Sequence, residues 1–147
     1  MINRCIQALL FSLSLSFCVS SASAEDLSRA LSNQLSVSGN MNSQKFQSLM
    51  QSGFKSVIVN RPDQEQGNQI SVGQLRNIAE KSQISVIYQP IQSGKISTTD
   101  VQEFAKYYNE LPKPILMVCR SGSRSSSLYN QAKAQGLLND ESNSTAK

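Results

Sequence analysis

Apolar residues fall into two alternating patterns along most of the chain. Short β-branched runs predict strands at Leu35-Ser36-Val37, at residues 54–59, at residues 84–88 and at residues 115–118. Between them, apolar positions recur at helical spacing. Asn42 is placed to cap a helix with Phe46, Leu49 and Met50 on one face, stopped by Gly53. Ser71 caps a second, with Leu75, Ile78 and Ala79 facing inward. Ser97 or Thr98 caps a third, carrying Val101, Phe104, Ala105, Tyr108 and Leu111 and ended by Pro112 and Pro114. A fourth is expected over residues 125–135, closed by Gly136, with Ser125 as both cap and hydroxyl donor. Polar loops with Pro62 and Gly67, and with Pro90 and Gly94, separate these elements. Strands alternating with helices predict an α/β fold with a mostly parallel sheet of four or five strands between helix layers. The run Ile115-Leu116-Met117-Val118 is apolar at every position, as in a strand buried on both faces.

Each end of the chain departs from this pattern. Arg4 precedes an apolar stretch with interspersed serines, followed by Ala22-Ser23-Ala24, the small-x-small pattern of a signal-peptide cleavage site. The stretch is short and serine-rich for a membrane span, and Phe17 before Cys18 disfavours a lipoprotein signal. Residues 1–24 are therefore expected to be a signal peptide and the protein to be exported, in the periplasm, with no membrane insertion after cleavage. The domain is expected to occupy residues 25–136, and residues 137–147 to form a polar tail.

Composition narrows the chemistry. The 147-residue chain carries a net charge of +4 and no histidine. Removal of 24 residues leaves 123 and takes away only Arg4 among charged groups, so the charge falls to +3. No dense basic block or aromatic interleaving suggests nucleic-acid binding. Without histidine, Ser-His-Asp and Cys-His catalysis are excluded, and no metal or cofactor is expected. Of three cysteines, Cys5 and Cys18 leave with the signal, so Cys119 remains alone. A lone cysteine in an exported chain is either buried filler or a reactive thiol.

Its surroundings favour reactivity. In Cys119-Arg120-Ser121-Gly122-Ser123-Arg124-Ser125, Gly122 permits backbone angles closed to other residues. Successive N–H groups can then converge into an anion nest, reinforced by the following helix N-terminus. Arg120 and Arg124 add guanidinium forks suited to tetrahedral oxyanions, though a solvated role is the alternative for each. Ser121, Ser123, Ser125 and Ser126 offer hydroxyls to a thiolate, an anion or the loop itself. Such a setting lowers a thiol pKa from about 8.5 to roughly 3.5–7.5.

The loop matches the Cys-Arg-x-Gly-x-Arg-Ser pattern of rhodanese sulfurtransferases. It resembles, one residue shorter, the Cys-x5-Arg loop of tyrosine and dual-specificity phosphatases. With residues 35–39, 52–63 and 89–94 in order, the chain resembles the phosphatase-like domain of the beta-lactamase hydrolase-like proteins, a family also labelled a sulfur transferase domain. The resemblance covers roughly residues 35–135 and implies a cysteine-phosphatase-like three-layer fold with Cys119 at the carboxyl edge of the sheet.

Phosphate-ester cleavage normally needs an acid to protonate the leaving alkoxide. Where the phosphatase pattern places it, this chain has Gln92 and Ser93. Asp63 is a candidate auxiliary acid, or else a turn residue or a partner of Arg61. Sulfur transfer expels a stabilised anion and needs no acid. The sequence therefore favours a sulfurtransferase with a persulfide on Cys119 and an anionic donor held by Arg124 and the loop. The alternatives are a cysteine-dependent phosphatase acting on phosphate esters, and a non-catalytic anion- or persulfide-binding protein. All three take a small anionic substrate or ligand.

Overall fold

The computed structural model describes residues 27–139. The expected signal peptide and residues 140–147 lie outside them. The elements run β1 (Arg29–Ser32), β2 (Leu35–Ser38), α1 (Ser43–Met50), β3 (Ser56–Val59), α2 (Val72–Glu80), β4 (Ser85–Tyr88), α3 (Thr98–Glu110), β5 (Ile115–Val118) and α4 (Ser123–Ala134). They form one five-stranded sheet of order β1-β2-β5-β3-β4. The pairs β2–β5, β5–β3 and β3–β4 are parallel, and β1 runs antiparallel to β2. This is the expected α/β fold with a mostly parallel sheet. The strand β1, for which the pattern gave no signal, is its antiparallel edge. Arg29 and Ala30 are exposed there, so no apolar alternation marks it.

The helix caps follow from side-chain chemistry. Asn42 accepts from Lys45 N–H at 2.9 Å and opens α1. Ser71 with Gln74, and Ser97 with Asp100, form reciprocal capping boxes at α2 and α3. The start of α4 differs from expectation. Its N-cap is Gly122, not Ser125, and no side chain caps it. Ser125 lies inside the first turn, buried.

The sheet's pleat sorts the core into two halves. Val57, Val59, Leu116 and Val118 face α1 and α2, packing with Phe46, Leu49, Leu75 and Ala79. Ile58, Ile115 and Met117 face α3 and α4, packing with Phe104, Tyr108, Leu128 and Tyr129. Successive residues of β5 thus feed opposite halves, which is why every position of that strand is apolar. The domain also runs past the expected boundary at Gly136. Leu138 is buried in the second half-core, and Asn109 clasps the segment by donating to Leu137 O at 2.9 Å and accepting from Asn139 N at 3.0 Å. Among the described residues, no helix is long and apolar enough to cross a membrane.

Leu116 is fully buried on the central strand. Leu116→Ala is expected to cost about 3 kcal/mol of stability, read as a lower urea midpoint at unchanged slope. A loss below about 1 kcal/mol would show that the half-core collapses around the gap.

Candidate active site

The parallel strands β2, β5 and β3 end together, and the chain leaves β5 directly into the loop. Cys119 is the first residue past the strand, and its N–H still donates to Ser38 O at 3.1 Å. The loop then curls back over the sulfur. Gly122 takes φ 86°, ψ −17°, a left-handed conformation that favours glycine. This aims its N–H at Cys119 Sγ, 3.0 Å away. The N–H groups of Ser121 and Ser125 also act on the sulfur, and the Ser125 hydroxyl, directed to Asn60 Oδ1, lies within reach of it.

These contacts set the thiol's acidity. Burial pushes it up, since Cys119 is 1% exposed. The Ser125 N–H and hydroxyl, then the N–H groups of Ser121 and Gly122, pull it down and prevail, leaving the thiol below its ordinary pKa. The N-terminus of α4 points the same way.

The arginines divide in function. Arg120 is exposed at the rim, whereas Arg124 is buried, not solvated. Arg124 Nη1 donates to Ile91 O at 2.7 Å and to Asn60 O at 3.4 Å, and Nη2 donates to Glu65 Oε2 at 2.8 Å. Its Nε is buried without a hydrogen-bond partner among the described residues. A planar fork pinned on one side by two carbonyls and a carboxylate is fixed in orientation. Glu65 also lies 3.1 Å from Arg61 Nε, but that pair is an ion contact without hydrogen-bond alignment.

A cavity of about 270 Å³ opens over the sulfur. Cys119, Arg120, Ser121, Ser123 and Arg124 line it, together with Ser127 and, from the loop after β4, Ser93, Gly94 and Ile96. Among the described residues, no carboxylate belongs to this lining. The loop hydroxyls separate in role. Ser121 Oγ donates to Ser123 Oγ at 3.2 Å, Ser126 Oγ donates to Gly122 O at 2.8 Å, and Ser125 Oγ donates to Asn60 Oδ1 at 2.8 Å.

The structure brings together Cys119, Arg120, Ser121, Gly122, Ser123, Arg124 and Ser125, but not Asp63. Asp63 Oδ1 accepts from Val72 N–H at 2.8 Å, at the start of α2, and its carbonyl accepts from Asn68 at 3.1 Å. It is a turn and helix-start residue, and Arg61's acidic neighbour is Glu65. Sequence reasoning missed Glu65, Asn60, Ser127 and Gly39. Glu65 sits in a polar loop and acquires meaning only through Arg124, 59 positions away. Gly39 closes β2, but its second role is contact. A Cβ there would lie 2.6 Å from Ser121 Cα and 2.7 Å from Arg120 O. Beside it, Asn40 N–H donates to Arg120 O at 2.9 Å.

A thiol at the end of a central parallel strand, under a backbone nest and beside a buried arginine, defines a cysteine-phosphatase-like domain. More narrowly, the chain belongs to the family described as the beta-lactamase hydrolase-like protein, phosphatase-like domain, which it matches over residues 26–136. It is 27% identical over 99 residues to a beta-lactamase hydrolase-like protein of Xylella fastidiosa, a stretch that covers 67% of this chain and 23% of that one. Among solved structures, it is similar to a candidate phosphatase from Neisseria meningitidis, with a TM-score of 0.66 and 28% identity over 71% of this chain and 75% of the other. The core catalytic domain of a PP-IP phosphatase from S. cerevisiae shares the fold, with a TM-score of 0.55 and 17% identity over 69% of this chain and 60% of that one.

Two outcomes are expected. Thiolate absorbance followed against pH, with Cys119→Ser as the blank, should give a lower midpoint in the native chain than in the urea-unfolded one. The sign follows from linkage: a lowered folded pKa favours the folded state above the unfolded thiol's pKa, and that contribution is lost as pH falls through the folded value. Gly39→Ala forces the end of β2 away from the loop backbone at a cost of about 1–3 kcal/mol. It should also move the Cys119 midpoint upward, whereas a loss of stability at an unchanged midpoint would separate Gly39 from the nest.

Proposed function

We propose that this domain is a cysteine-dependent phosphatase-type hydrolase acting on small phosphate substrates whose leaving group is stable as an anion. The observation that carries the reading is the Cys119 sulfur held by the Gly122 N–H at the base of the cavity, with Arg124 beside it. The nest that steadies the thiolate presents the same convergent N–H groups to a phosphoryl dianion. Sγ attacks phosphorus, an S–P bond forms, and the P–O bond breaks with its electron pair passing to the departing oxygen. Water then attacks the thiophosphate. The P–S bond breaks, its pair returns to sulfur, and the water proton leaves with phosphate or to solvent.

The sequence preference for sulfur transfer gives way to phosphoryl transfer because the family and the similar folds support phosphatase chemistry. The absence of a carboxylate from the cavity lining supports the restriction on leaving group. The same absence keeps sulfur transfer as the second reading: attack on a sulfane sulfur, leaving Cys119 as a persulfide, expels an anion such as sulfite and needs no acid. A third arrangement, anion binding without turnover, would use the same nest. The chain spans about a quarter of the length of the Xylella relative, so that protein's own activity is not transferred here. Export to the periplasm remains a proposal that rests on residues 1–24 alone.

Hydrolysis of a series of aryl phosphates should rise steeply as the leaving phenol becomes more acidic, with alkyl phosphates nearly inert. Cys119→Ser should abolish the reaction and Arg124→Ala should lower kcat/KM by about a hundredfold or more. Thiocyanate formed from thiosulfate and cyanide, with no aryl phosphate turnover, would assign the site to sulfur. Neither activity, with anion binding retained, would assign it to binding.

A further inference from the structure

Asn60 lies just past β3, fully buried, and each of its polar atoms is engaged. Its N–H donates to Val118 O at 2.8 Å, and its carbonyl accepts from Ile91 N–H at 2.9 Å as well as from Arg124. Its Nδ2 donates to Gln89 O at 3.2 Å, and its Oδ1 accepts from Ser125 Oγ at 2.8 Å. The side-chain orientation is not arbitrary. The Gln89 carbonyl can only accept, so the amide must turn its NH2 there and its oxygen to Ser125.

A serine hydroxyl has one proton. That of Ser125 has two acceptors in reach: Asn60 Oδ1 and the Cys119 sulfur. Ser125 and Asn60 are both fully buried, so solvent does not arbitrate between them. The two steps of a thiol-dependent transfer ask opposite things of this proton. Directed at Asn60, it leaves the sulfur with backbone donors alone and more nucleophilic. Directed at the sulfur, it stabilises the thiolate being expelled.

We propose that Asn60 is a positioning residue that competes with the Cys119 sulfur for the Ser125 hydroxyl proton, withholding it during attack and yielding it when the sulfur departs as thiolate. This rests on Cys119 being a nucleophile that forms a covalent intermediate, and it holds for phosphoryl and sulfur transfer alike. The proton stays on Oγ, and only the Cβ–Oγ torsion changes. The electron pair that arrives on sulfur comes from the breaking S–P or S–S bond.

Among the described residues, the charged groups facing the Cys119 loop are Arg120 at the rim, Arg124 on α4 with Glu65 and Arg61 behind it, Lys45 of α1 on Gly39 O, and Arg29 of β1 on Ser126 Oγ. All six stay in place in the test. Cys119 is titrated by thiolate absorbance in the full chain, with Cys119→Ser in each background as blank. Asn60→Ala should lower the midpoint by about one pH unit, a tenfold change in proton affinity, because the hydroxyl is released to the thiolate. In a Ser125→Ala background the same substitution should leave the midpoint unchanged. An equal shift in both backgrounds, or none in either, overturns the proposal. If Asn60→Ala does not fold, Asn60→Asp serves: its carboxylate holds the hydroxyl more strongly, so the midpoint should rise more with Ser125 present than in Ser125→Ala. An equal rise overturns the proposal. The titration uses no substrate, so it succeeds or fails independently of the phosphatase reading, whose own failure would appear as wild-type inactivity towards aryl phosphates.

Discussion

The structure depends on the balance at one atom, the Cys119 sulfur. Burial beneath the loop opposes ionisation, and convergent N–H groups favour it. The second effect prevails only while the loop holds its shape. Gly122 supplies the turn that aims one N–H, and Gly39 lets the end of β2 touch the loop backbone. The parallel strands around β5 supply the base, because the Cys119 N–H is itself fixed to Ser38 at the end of β2. A core residue such as Met117 and a loop residue such as Gly122 thus serve the same end from opposite sides. One anchors the strand; the other closes the nest.

Arg124 extends the same logic outward. A mobile guanidinium beside an anion site would lose rotamer freedom each time it bound. Here that cost falls largely on folding. Ile91 O, Asn60 O and Glu65 hold one side of the fork, leaving Nε without a partner among the described residues. Glu65 offsets part of the positive charge, and Arg61 beside it restores some of what Glu65 removes. The result is rigid rather than strongly cationic. Most of the pull on the thiol comes from backbone and hydroxyl dipoles, so arginine spacing alone is an incomplete guide to the chemistry.

The sequence revealed what local periodicity encodes. Asn42, Ser71 and Ser97 cap the helices expected of them, and the all-apolar β5 is central. The loop was visible because its residues are contiguous. What escaped detection is assembled across distance. Glu65 and Asn60 act through Arg124 and Ser125, more than fifty positions away, and nothing in their own neighbourhoods signals it. Ser125 was visible as a donor but misplaced as a cap, because Gly122 caps the helix three residues earlier than the serine-rich pattern implies. Asp63 was a candidate auxiliary acid with a turn role as its alternative, and the amide it meets belongs to α2. The edge strand β1 escaped because exposure removes the alternation that would mark it.

The lack of a carboxylate over the sulfur bears on how the site selects its reaction. In a thiol-dependent transfer the barrier is divided between forming the bond to sulfur and stabilising what leaves. This nest serves the first, whereas no carboxylate in the cavity lining serves the second. Asp63 is committed to Val72, and Glu65 is committed to Arg124. On the proposed phosphatase reading the substrate then supplies its own stable leaving group, such as a low-pKa phenol or an anhydride phosphate, and on the sulfur-transfer reading an oxidised sulfur anion. The two readings are neighbouring solutions of one geometry, separated by the atom attacked.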